Sequence, residues 1–109
     1  MHHVIRQGDI MLVPISETPL GAKPVEAENG RLILARGEAT GHHHSVAMAD
    51  RVALFREDGS GAGLFLFNGG PGAVTLEHQE HSALAIPPGA FEVRRQVEYA
   101  PAAPRRVED

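Results

Sequence analysis

Short apolar runs separated by glycine and proline set the pattern of this chain. Runs rich in Val, Ile, Leu and Phe lie between twelve glycines and eight prolines. That spacing marks an all-β domain with many short strands. No long window keeps the i, i+3, i+4, i+7 apolar repeat of a helix. Strands are predicted over Asp9–Ile15, Arg31–Ala35, Gly37–Ala47 with an interruption at Gly41, Arg51–Arg56, Gly63–Phe67, Ala73–His78, Ser82–Ile86 and Ala90–Tyr99. Pro14 suggests an edge or a strand end, because proline cannot donate to a ladder. Asn29-Gly30 predicts a tight turn of the type I′ kind. Asp58-Gly59-Ser60-Gly61 predicts a hairpin joining the strands on either side of it.

The last predicted strand alternates cleanly. Phe91, Val93, Val97 and Tyr99 share one face, and Glu92, Arg94, Gln96 and Glu98 share the other. Arg95 falls on the apolar face, either as a snorkelling edge residue or as a charge inside a pocket. The expected architecture is all-β: a single small β-barrel or compact sandwich of about eight short strands over residues 1–99. Residues 100–109 are expected to form an extended or mobile tail.

Composition narrows the chemistry. The chain has 109 residues, seven histidines and no cysteine. The length fits one domain. Without cysteine there are no disulfides, zinc fingers, iron–sulfur clusters or thiol catalysis, so any metal must be held by histidine and carboxylate. A net charge of −4 argues against nucleic acid as the main ligand. The longest apolar run, Ile10–Ile15, is far short of the ~20 residues that span a membrane as a helix. Met1-His2-His3 does not open a signal peptide, so the default expectation is the cytoplasm.

Five of the seven histidines fall in two clusters. In the segment Gly37–Val46, alternation places His42, His44, Val46 and Met48 on one face and His43 and Ser45 on the other. Val46 and Met48 are apolar, so the inward face holds His42 and His44. An H-x-H pair on one strand is a two-point grip on a transition metal, since imidazole suits Zn, Cu, Fe and Ni. In the segment Val74–His81, Val74, Leu76 and His78 share a face, and Thr75 and Glu77 take the other. His81 follows in a turn that can return its ring to the same place. His42, His44, His78 and His81 are therefore the candidate ligands of a divalent transition metal, Zn or Fe. Glu38, Glu77 and Glu80 are the carboxylates that could complete the site, and Glu80 or Glu77 is the candidate general base. The plainer reading is a solvated His42–His44 loop and two exposed turn histidines. Ser45 beside His44 is adjacency without a triad, and Asn68-Gly69-Gly70-Pro71-Gly72 reads as a turn.

The chain resembles a family of small uncharacterised bacterial all-β proteins. The resemblance rests on Gln7–Pro14, Gly37–His44, Leu76–His81, Ile86–Gly89 and Arg95–Tyr99. It implies that the histidine segments are a family signature, with His43 the least suited ligand. His42-His43-His44 and Ile86-Pro87-Pro88-Gly89 are also similar in pattern to the metal-binding cupins, although no Glu follows His44 at the cupin spacing. A weaker likeness, to the small co-chaperonin barrel, rests on Gly8–Ile15 and Gly37-Glu38. The leading expectation is a metal-binding β-barrel, with hydrolysis or dioxygen chemistry as its candidate reactions and its substrate an unknown small molecule. The alternative is a non-enzymatic, homo-oligomeric interaction module with a protein partner. Its histidines would be structural, pH-responsive or gathered into a metal site between subunits.

Overall fold

A computed structural model describes residues 3–37, 41–58, 63–99 and 104–106. Twelve strands occur among them: β1 Ile5–Gln7, β2 Ile10–Ile15, β3 Lys23–Pro24, β4 Arg31–Arg36, β5 His43–Ala47, β6 Val52–Arg56, β7 Leu64–Asn68, β8 Val74–Glu77, β9 Leu84–Ile86, β10 Gly89–Arg95, β11 Val97–Tyr99 and β12 Pro104–Arg106. Ten of them build two antiparallel sheets, ordered β1-β2-β10-β7-β6-β3 and β4-β5-β8-β9, while β11 pairs with β12. The chain is all-β, as its punctuation predicts. Among the described residues no sheet closes on itself, so the architecture is the sandwich and not the barrel. No described helix is long and apolar enough to cross a membrane.

Alternation builds the core. Ile10 and Leu12 from β2, Leu54 from β6, Leu66 from β7 and Phe91 from β10 are buried on one sheet. They meet Leu32, Val46, Val74, Leu76 and Ile86 from the other in one cluster. Each fully buried Leu, Ile or Phe contributes roughly 1.5–3 kcal/mol, which is what binds two sheets that share few other contacts. Asn29 and Gly30 both have positive φ, 51° and 77°, as a type I′ turn requires. They carry the chain from the Glu28 bridge into β4.

Several boundaries differ from expectation. The predicted strand Ala90–Tyr99 breaks at Gln96, whose backbone N–H donates to Asp9 O at 2.7 Å. Pro14 falls near the end of β2, as expected, although β2 itself lies between β1 and β10. Its register with β1 runs only from Ile10 to Leu12, so Pro14 interrupts no bond to that neighbour. Met48 is 62% exposed, because β5 ends at Ala47. The short strands β1 and β3 lie outside the predicted set. Of the expected tail, 104–106 pairs with β11, and residues 100–103 and 107–109 lie outside the described residues.

Candidate functional site

His44 is the centre of the site. It points inward from β5 and is fully buried. The structure gathers the other predicted rings around it. The His44 and His78 ring centres are 4.4 Å apart, His78 and His81 are 4.6 Å apart, and His42 and His78 are 5.6 Å apart. His44 and His81 lie nearly parallel at 6.1 Å. All four predicted ligands therefore meet in one place.

The turn after β8 explains how His81 returns. His78 Nδ1 accepts the backbone N–H groups of Glu80 at 3.0 Å and His81 at 3.3 Å. The side chain thus folds its own turn, much as aspartate and asparagine do. Neutral His78 then carries its proton on Nε2. Glu80 closes the outer side of the group, with Oε1 2.6 Å from His42 Nδ1. Glu77 takes the opposite face of β8, pairing with Arg31 at 2.7 Å. It lines a cleft of about 310 Å³ with Arg31, His43, Ser45, His78 and Gln79. His43 lies in this cleft, on the side of β5 opposite His44, and burial followed by the nearby Arg31 and Arg36 pushes its pKa down. Glu38 lies outside the described residues.

Three residues beyond the histidine segments complete the arrangement. Gln7 and Asp9 flank Gly8 in the two-residue turn between β1 and β2, where Gln7 registers with Ile10. Gly8 has φ 57°, the left-handed conformation such a turn needs. Gln7 Nε2 donates to Leu76 O at 3.1 Å and Ser82 O at 2.9 Å, tying β1 of one sheet to β8 and the β8–β9 loop of the other. With both amide hydrogens committed, Oε1 is the atom facing His44 Nδ1, at 2.8 Å. An amide oxygen can only accept, so Nδ1 carries a proton.

The other ring nitrogen, His44 Nε2, is 3.2 Å from Asp9 Oδ1. The Asp9 side chain is 1% exposed, and its second oxygen accepts from Arg95 Nε at 2.7 Å. Arg95 also donates to Arg36 O. The arginine on the apolar face of the last long strand is therefore a charge held against a buried carboxylate. The sequence signal for Gln7 and Asp9 was a pair of polar residues beside an alternating apolar strand. It reads as loop unless β1 is recognised, and β1 is only three residues long.

Among the described residues, no three His, Cys, Asp or Glu side chains form a ready-made metal site. The rings converge, but their nitrogens do not yet aim at one point. Both His44 nitrogens face side chains, and His78 Nδ1 faces its own turn. No curated protein and no solved structure matches the chain. A family model described as a domain of unknown function, DUF8820, matches residues 6–96, a span that holds Gln7, Asp9, all four rings and Arg95. The chain belongs to that family.

Proposed function

We propose that the ring cluster binds a divalent transition metal, with zinc and iron the best matched to imidazole and carboxylate donors. The observation that carries this reading is the pair of contacts of His44, Nδ1 to Gln7 Oε1 and Nε2 to Asp9 Oδ1. Gln7 Oε1 calls for a proton on Nδ1, so a neutral His44 turns the lone pair of Nε2 towards the buried Asp9 carboxylate. Two acceptors facing each other there call for a cation. A metal-bound histidine held by an outer acceptor on its second nitrogen has this form.

Ring spacing sets how far the donors must move. A Zn–N bond of ~2.0–2.1 Å puts two imidazole centres on a tetrahedral ion ~5 Å apart. His44 and His81 stand somewhat wider than that, at 6.1 Å, and the shorter separations of 4.4–5.6 Å all involve His78. His44 Nε2, His42 and His81 are the imidazole donors of this reading, with Glu80 or Asp9 as the carboxylate. His78 joins through Nε2 only if it exchanges its two turn bonds. The ion supplies Lewis acidity, and Glu80 is the carboxylate beside the rings that can take a proton. Glu77 stands on the other face.

A second reading is favoured by the hydrogen bonds themselves. Protonated on both nitrogens, His44 pairs with Asp9, and Gln7, His44, Asp9 and Arg95 form a closed polar plug between the sheets. The histidines are then structural, and the chain serves as an interaction module.

Metal analysis separates the two. Protein purified without an affinity tag or a nickel column is titrated with Zn, Co, Fe(II), Mn and Ni. The metal reading expects about one equivalent bound, a higher melting temperature, and loss of both in His44→Ala and His42→Ala. Less than about a tenth of an equivalent with no thermal shift overturns it. Light scattering on the same samples shows whether binding requires a homo-oligomer.

A further inference from the structure

A second site lies on the far side of Arg95. A cleft of about 450 Å³ opens between β4 and the β6–β7 side of the larger sheet, within the size range of small-molecule sites. Its lining is more polar than apolar, the apolar part being supplied by Val25, Ile33, Leu34 and Leu64. Its polar lining is almost all of one sign: Arg36, Arg56 and Arg95 against Glu28. Three guanidinium groups around one apolar patch are unexpected in a chain of net charge −4.

Charge pairing shows what is left over. Arg36 is bonded to Glu28, and Arg95 to Asp9. Arg56 stands at the end of β6 and is exposed. Among the described residues its side chain has no hydrogen-bonded or ion-paired partner. The cleft therefore carries one positive charge in excess, on a group whose planar donors suit a carboxylate. The apolar patch of Val25, Ile33, Leu34 and Leu64 can take a small apolar body behind that carboxylate.

We infer that this cleft binds a monocarboxylate with an aliphatic or aromatic body, its head group on Arg56 and its body over Ile33 and Leu64. A doubly charged phosphate ester would exceed the spare charge and leave the apolar patch uncovered. Asp9, the partner of Arg95, lies 3.2 Å from His44, so the bound carboxylate would sit within a few side chains of the ring cluster. The inference does not depend on a metal.

The test is an NMR amide-shift titration in the presence of a chelator, with octanoate, octanamide and inorganic phosphate as probes. Octanoate is expected to bind saturably and to shift the amides of Val25, Ile33 and Leu64. Octanamide should bind about tenfold more weakly, because it lacks the charge. Arg56→Gln should weaken octanoate by about the same factor while leaving the melting temperature unchanged, and Arg56→Lys should recover part of the loss. The inference is overturned if octanamide matches octanoate, if inorganic phosphate competes with it, if Arg56→Gln binds as wild type, or if octanoate does not saturate.

Discussion

Replacing Gln7 by leucine tests the logic of the buried polar group most directly. The substitution keeps the approximate volume and the apolar surroundings, and it removes three hydrogen bonds. His44 Nδ1 loses its acceptor, and Leu76 O and Ser82 O lose a donor. His44 is fully buried, so its orphaned N–H costs about 1–3 kcal/mol. Leu76 lies within the paired β8 strand and the Ser82 bond is only part-buried, so these two together add about 1 kcal/mol. The sum is about 2–4 kcal/mol, a large share of the ~5–15 kcal/mol typical of a domain this size. Urea unfolding followed by far-UV circular dichroism reads the loss. Long-range nitrogen NMR reads the tautomer, with the His44 proton on Nδ1 in the wild type and redistributed in the variant. A loss under ~0.5 kcal/mol, or a wild-type proton on Nε2, would refute the reasoning.

Other perturbations follow from the same contacts. Arg95→Met strips the cation from the buried Asp9 carboxylate and should cost about 3 kcal/mol. Adding Asp9→Asn should recover at least about 1 kcal/mol in a double-mutant cycle, and strict additivity would dismiss the pair. Asn68 ties the connection after β7 by donating to Gly72 O at 3.0 Å and Ile86 O at 3.1 Å and accepting from Gly70 N–H at 2.9 Å. Asn68→Ala should therefore lower the urea midpoint by about 2 kcal/mol of stability. His43 has a folded pKa below its ordinary 6.5, so the unfolded chain takes up the proton first. Its contribution to stability is full above pH 6.5 and is lost as pH falls through that value towards the lower folded pKa. An NMR titration midpoint for His43 at or above 6.5 would contradict the burial argument.

Local pattern carried much of this fold. The hairpin of β6 and β7 pairs Val52 with Asn68 through Arg56 with Leu64, close to the predicted ends. The inward parity of His44 and Val46, and the outward parity of His43 and Glu77, also follow from alternation alone. The misses share a cause. β1 and β3 have three and two residues, too few for periodicity to register. The break at Gln96 is set by Asp9, far away in sequence.

The sequence by itself determined that the chain is all-β, that His44 and Val46 share a parity on their strand, and that any metal must be held without thiolate. These follow from side-chain period and residue chemistry, which are local. Tertiary structure alone decided that the sheets stay open as a sandwich and that Gln7 dictates the His44 proton. It also decided that Arg95 serves a carboxylate 86 residues away. Such pairings depend on which strands become neighbours. That is fixed by burying the two apolar faces against each other, and no local spacing encodes it.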